Sequence, residues 1–399
     1  MSHRKKRKKL LIIPLIFLAL CVFAVLYADR KTLYETKSTI TLENYTNPEV
    51  KINFPVNAEA AVMVDNKVLD NNLNKPLATA STAKAITSLM VLQKYPLKLN
   101  QQGPLITLGS NDVTIYNQYL AIGGSVVKVI SGEQISQYQA LQAVLLPSSC
   151  NMSDSLAIWA FGSLDNYISY ANQTLKKLGI NNTVVAIDAS GFSPETTSTP
   201  SDLIKIGQLV LNDPVLSQIV GQKTAEIPIQ GQIRNVNWLL GTNGIVGIKT
   251  GNNDEDRGAF IFASTQPISS INSTKTIIGA IIGSDSLANA LGDSIPIINS
   301  AKDGFKNATY PQANQRIGYY SVPWSNEKYY FVASESFNHQ VWGKTILTPS
   351  IKIDKANYNT QVGSKVGVLS LASQNQDLVI NKKIPRPSLI WEIKNIFKY

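Results

Sequence analysis

The chain has 399 residues, 44% hydrophobic and 16% charged, with 24 glycines and 18 prolines, a globular composition rather than a disordered or collagen-like one. Two cysteines, Cys21 and Cys150, exclude a disulfide framework and a thiolate metal cluster, and two histidines, His3 and His339, exclude a multi-histidine metal site, so neither a metal nor another cofactor is expected. The formal charge of +10 does not mark a nucleic-acid partner, because six of the 37 basic residues form the single run Arg4 to Lys9, leaving 31 against 27 acidic ones.

Nineteen uncharged residues follow the basic run, Leu10 to Ala28. At ~1.5 Å per residue a helix of that length approaches the ~30 Å hydrocarbon core. It is also longer than the ~7–15-residue apolar region of a signal peptide. Residues 1–29 are therefore expected to form a cytoplasmic basic tail and a single-pass membrane anchor, with everything after Asp29 on the extracytoplasmic side by the positive-inside rule. Small residues around Val22-Phe23-Ala24 leave secretion after cleavage as the alternative.

Residues 30–51 are polar and rich in Thr and Asn, and read as a spacer. From 52 to 309, strand-like and helical runs mix, which predicts a first domain of class α/β (α+β). Ala60–Val64 and Lys67–Leu69 flank Asp65-Asn66, the composition of a tight hairpin turn. Ala80 to Tyr95 has Ile86, Leu89 and Met90 at helical spacing and ends before Pro96. Ile245–Ile248, Ala259–Phe262 and Ile277–Ile282 read as strands; their connections are too short for parallel crossovers, so antiparallel order follows. Asp285 to Phe305 reads as a closing helix. Residues 310–385 change to short β-rich runs broken by Gly, Pro and Asn and predict a small β-domain. The end, 386–399, is a candidate amphipathic tail with Leu389, Ile390, Ile393 and Phe397 on one face.

Three short patterns stand in order: Ser81-Thr82-Ala83-Lys84, Ser149-Cys150-Asn151 and Lys249-Thr250-Gly251. S-x-x-K also recurs at Ser2 and Ser325, and S-x-N at Ser270, Ser336 and Ser373, so the order and context carry the signal. Ser81 and Lys84 open a predicted helix, where i and i+3 share a face and an amine can reach a hydroxyl. The free N–H groups of that terminus suit a developing oxyanion. Taken alone, the pair favours the plain reading, Ser81 as a helix N-cap and Lys84 as a solvated lysine. The histidines alter that balance: His3 precedes the apolar segment and His339 lies in the β-rich part, so a serine nucleophile here needs another base. A lysine serves when burial and a neighbouring positive charge favour its neutral form, and Lys249 is the candidate neighbour.

On these motifs the sequence resembles the D-alanyl-D-alanine carboxypeptidase family of penicillin-interacting serine peptidases. Leu145-Leu146-Pro147, Asp188-Ala189-Ser190-Gly191-Phe192, Asn237-Trp238-Leu239-Leu240 and Gly304-Phe305 extend the resemblance over roughly 55–305, with motif starts 68 and 100 residues apart. It implies a β-lactamase/transpeptidase-like antiparallel sheet with helices and an inserted helical lobe. It also implies removal of the terminal D-Ala of peptidoglycan stem peptides, with β-lactams as covalent inhibitors. Ser81 would attack the penultimate carbonyl, Lys84 would take its proton, and Ser149 would relay a proton to the leaving D-Ala. Asn151 would hold the substrate amide, and Lys249 with Thr250 the terminal carboxylate. Gly251 would leave room for a peptide along the strand edge, and the backbone N–H groups of Ser81 and Asn252 would form the oxyanion hole. Asp188 reads as a loop-shaping carboxylate and Cys150 as a small buried residue. Two departures stand out: Thr79-Ala80 where proline-alanine is usual, and the polar run Asn252 to Asp256.

A class A β-lactamase would need a Glu-x-x-Leu-Asn element between the second and third motifs, and none is there. D,D-endopeptidase or transpeptidase action on wall peptides, or a catalytically idle wall-binding protein, are the alternatives.

Overall fold

The computed structural model describes residues 34–71, 73–253 and 257–395. The expected anchor at 10–28 lies outside them. Among the described residues no helix is long and apolar enough to cross a membrane. The described residues divide into two compact units, one within 50–306 and one combining 34–49 with 307–395.

In the first unit, β1 (Glu59–Val64) turns through Asp65-Asn66 into β2 (Lys67–Asp70), with Val64 paired to Lys67. Both turn residues have positive φ, 50° and 63°, the conformation that Asn and Asp tolerate in a two-residue hairpin loop. The chain then leaves the sheet for a helical region: α1 (Ala83–Lys94), α2 (Ser110–Ala121), α3 (Gln137–Leu145), α4 (Cys150–Phe161), α5 (Leu164–Lys177), α6 (Pro200–Asn212) and α7 (Pro214–Val220). It returns as β3 (Ile245–Asn253), β4 (Arg257–Ile268) and β5 (Ser273–Ser284), then closes with α8 (Leu287–Asp303). Sheet order is β3-β4-β5-β1-β2, antiparallel throughout.

The central strands are buried on both faces because helices cover both. Along β4, Ile261 and Ala263 join one large core with Leu203, Ile204 and Ile206 of α6, and the alternate residues Phe260 and Phe262 are buried as well. The same core runs through α1, α3 and α4, so the helical lobe and the sheet share one apolar interior.

The second unit is a six-stranded antiparallel sheet in the order 37–40, 316–322, 325–333, 374–380, 365–371, 350–353. Ile317, Tyr320, Tyr329, Phe331, Leu369 and Leu378 lie in its core. The segment read as a spacer contributes to it: Lys37–Ile40 forms an edge strand against 318–321, and Tyr45–Asn47 pairs with Thr345–Leu347. All four residues of that edge strand are exposed. A solvent-facing edge strand therefore has the same polar, Thr-bearing composition as a linker, and this is why the two readings were indistinguishable. In the tail, Leu389–Asn395 is helical, with Leu389 and Ile390 exposed and the Trp391 ring edge-on to Trp324 at 5.7 Å.

Candidate active site

The nucleophile candidate sits on a tight turn. Thr79 O accepts from Thr82 N–H at 3.2 Å and from Thr82 Oγ1 at 2.7 Å, which draws Ala80–Thr82 into one 3₁₀ turn ahead of α1. Ala80 takes φ +44°, a costly conformation for a residue with a side chain. Thr79, the departure from the usual proline, is buried; its N–H and its Oγ1 both donate to Thr196 O, at 2.9 and 3.1 Å. A threonine here replaces proline's rigidity with two tethers.

Lys84 is completely buried in the first turn of α1. Its Nζ donates to Ser81 Oγ at 2.7 Å and to Ser190 O at 2.9 Å, and lies 3.5 Å from Cys150 Sγ. The solvated-lysine reading is thereby excluded. Ser190 O is presented by the 188–193 loop, which Asp188 organises: Oδ1 accepts from Ser190 N–H, Ser190 Oγ and Phe192 N–H, and Oδ2 from Ser193 N–H at 2.8 Å. Gly191, at φ +68°, lets that loop lie on the nucleophile turn, since a Cβ there would strike the Ala80 carbonyl and sit 2.7 Å from Ala83 Cβ.

The residues of the second pattern and its preceding serine face different partners. Ser149 is the N-cap of α4: its Oγ accepts from Met152 N–H at 3.2 Å and donates to Asn151 Oδ1 at 2.7 Å. Asn151 in turn clamps the backbone of Val127, accepting from its N–H at 3.0 Å and donating to its carbonyl at 2.9 Å. Both are wholly buried, with their polar atoms occupied in holding the fold. Ser148, at φ +64°, is the serine that meets the third motif, its Oγ accepting from Lys249 Nζ at 2.9 Å. Cys150, two residues on, lines the same cavity as Ser81. The residues that the fold brings together are thus Ser148 and Cys150 rather than Ser149 and Asn151. The signal was available as the doublet Ser148-Ser149, but only the cap at the start of α4 decides which serine turns toward Lys249.

Lys249 is buried on β3, and its Nζ also donates to Thr250 O at 2.9 Å. Burial first, and the neighbouring Lys84 charge second, hold its ammonium well below the ordinary lysine range. Thr250 is buried one position on. Gly251 faces the nucleophile turn: a Cβ would lie 3.0 Å from Thr79 O and 3.1 Å from Ala80 Cβ. Its lack of a side chain lets β3 approach the Ser81 turn closely. Ser81 and Asn252 line one cavity of about 610 Å³ together with Gly124, Ser125, Cys150 and Phe192. Sequence reading also missed Asp154 and Tyr119 behind Lys84: neither belongs to a motif, and both are brought in by packing.

A buried lysine hydrogen-bonded to a serine that lines a cavity, beside an antiparallel sheet with an inserted helical lobe, is an arrangement suited to serine acyl transfer. A sequence profile of the D-alanyl-D-alanine carboxypeptidase family matches residues 46–280, and the chain belongs to that family of serine hydrolases. Over 239 residues it is 27% identical to a D-alanyl-D-alanine carboxypeptidase of Streptomyces sp. (strain K15), covering 56% of this chain and 78% of that one. Over 223 residues it is 28% identical to D-alanyl-D-alanine carboxypeptidase DacA of Escherichia coli (strain K12), covering 53% of this chain and 54% of that one. The chain thus spans about half the length of that relative. In fold it is similar to the Streptomyces K15 DD-transpeptidase (TM-score 0.54, 23% identity, 64% of this chain and 98% of that one). It is likewise similar to penicillin binding protein 5 from Haemophilus influenzae (TM-score 0.56, 17% identity, 86% of this chain and 100% of that one).

Proposed function

We propose that this enzyme removes the terminal D-Ala from peptidoglycan stem peptides through an acyl-enzyme on Ser81. The observation that carries the reading is the 2.7 Å contact between Lys84 Nζ and Ser81 Oγ beside a cavity. With Lys84 neutral, its lone pair takes the Ser81 hydroxyl proton as Oγ bonds to the penultimate carbonyl carbon. The oxyanion is met by the backbone N–H groups of Ser81 and Asn252. As the carbon–nitrogen bond breaks, the leaving amine of D-Ala receives a proton through Ser148, the hydroxyl linked to Lys249. Water then cleaves the ester and frees Ser81. Lys249, with Thr250, reads the terminal carboxylate of the substrate. A β-lactam acylates the same oxygen by ring opening, and the ring nitrogen takes the proton.

Mass analysis of products from a synthetic peptide ending in D-alanyl-D-alanine tests the reading. One residue of D-Ala released, lost in Ser81→Ala, supports it; no release and no β-lactam adduct would point to an idle wall-binding protein. The apolar run 10–28 supports a single-pass anchor with the catalytic unit outside the cytoplasm. Retention after carbonate extraction is expected, and a soluble species beginning near Val25 or Asp29 would instead mark a cleaved signal.

A further inference from the structure

Behind Lys84 lies a buried carboxylate that the mechanism above does not use. Asp154 projects from α4, four residues beyond Cys150, and is 5% exposed. Its Oδ1 accepts from Ala189 N–H at 2.9 Å and its Oδ2 from Tyr119 OH of α2 at 2.8 Å. The carbonyl of the same Ala189 accepts from Thr87 Oγ1 of α1 at 2.5 Å. Residue 189 is therefore clamped from two helices, and the next carbonyl, Ser190 O, is the one to which Lys84 Nζ donates at 2.9 Å. Tyr119 OH closes the circuit at 3.4 Å from Ser190 Oγ.

The partners that touch the Lys84 amine, namely Ser81 Oγ, Ser190 O and Cys150 Sγ, carry no formal carboxylate charge. A counter-charge for its ammonium form must come from one layer further back. We propose that Asp154 is the positioning residue for Lys84: by holding Ala189 N–H it fixes the segment whose next carbonyl, Ser190 O, orients the amine, and its charge sets the balance between the ammonium and the neutral base. The proposal rests on the reading of Lys84 as the base of Ser81.

The groups facing Asp154 are Lys84 from α1, Tyr119 from α2, Tyr167 from α5 and Asp188 from the loop, with Lys249 of β3 beyond Lys84. Burial, and then Asp188, push the Asp154 carboxyl up to about 7, against the bonds from Tyr119 and Ala189 and the charge of Lys84. Its charge therefore changes within the range where a lysine base would be tested.

The test is the second-order rate of benzylpenicillin acylation between pH 5 and 10 for wild type, Asp154→Asn and Tyr119→Phe. Asparagine keeps an oxygen for Ala189 N–H and removes the charge, so the ammonium form of Lys84 loses stabilisation. The acidic limb should move to lower pH by roughly half a unit or more. Tyr119→Phe, which deprives the carboxylate of a donor, should move it the same way by less, and this holds the test open should Asp154→Asn fold poorly. A limb that stays in position in both variants, whatever happens to the plateau rate, would reduce Asp154 to a structural role and overturn the proposal. Failure of the wild type to take up penicillin at any pH would instead sink the Ser81 reading, and this one with it.

Discussion

Lys249 Nζ lies 2.9 Å from Ser148 Oγ, whereas Ser149 Oγ is taken by Asn151 Oδ1 and Met152 N–H at the head of α4. On the proposed mechanism the two adjacent serines therefore carry different burdens, one chemical and one structural. Ser148→Ala should lower kcat/KM on a D-Ala-D-Ala peptide by roughly 10²-fold while leaving the unfolding midpoint nearly unchanged. Ser149→Ala should retain activity and lose about 1 kcal/mol through the missing cap. Parallel kinetics and thermal melts on both variants decide it, and the reverse pattern would return the motif to Ser149-Cys150-Asn151.

Intact-protein mass spectrometry after benzylpenicillin should find one added drug mass on the wild type and none on Ser81→Ala. Lys84→Ala should still bind but acylate about 10²–10⁴-fold more slowly, the usual range for lost proton transfer. Labelling that persists in Ser81→Ala would reassign the nucleophile.

Carboxylate recognition by Lys249 predicts a substrate preference. Charge-assisted hydrogen bonds contribute roughly 1.5–3 kcal/mol, so wild type should favour a free terminal carboxylate over its amide by about 10–150-fold, and Lys249→Gln should lose most of that ratio. Because burial and Lys84 hold the Lys249 ammonium well below the ordinary lysine range, raising the pH should abolish the preference well before ordinary lysines titrate. A ratio unaltered in Lys249→Gln would assign the terminus to another cation.

Asp154 makes a signed prediction about stability. Its carboxyl titrates near 7 in the folded state against ~4 when unfolded, so the folded protein holds a proton that the unfolded chain releases between those values. This contribution is fully present below pH ~4 and is lost as the pH rises through about 7. Relative to wild type, Asp154→Asn should therefore melt at progressively higher temperature as the pH is raised from 4 to 7. A difference that is flat or shrinks over that window counts against the assignment.

Gly251→Ala probes the approach of β3 to the nucleophile turn. The new Cβ would press on Thr79 O and Ala80 Cβ, at 3.0 and 3.1 Å, on the turn that holds Ser81. Acylation by penicillin should slow by about tenfold or more, since small misplacements of reacting groups are costly. Unchanged acylation would mean that the turn yields without moving Ser81.

The sequence by itself determined whatever depends on local chemistry and short connections. Asp65-Asn66 between two apolar runs specified the hairpin, because few residues accept positive φ twice in succession. Short links made β3, β4 and β5 antiparallel. The spacing of Ser81 and Lys84 brought hydroxyl and amine onto one helix face, and the lack of a histidine near any motif left a lysine as the candidate base. Tertiary structure decided what depends on residues far apart. Ser148 and Lys249 meet across 101 positions, so no local pattern separates Ser148 from Ser149. Lys37–Ile40 becomes a strand only because residues 318–321 lie alongside it. Asp154 belongs to no sequence motif; it is buried near Lys84 because α1, α2, α4 and the 188–193 loop close around it. In that enclosure an unpaired polar group is costly, and each donor is forced to a definite partner.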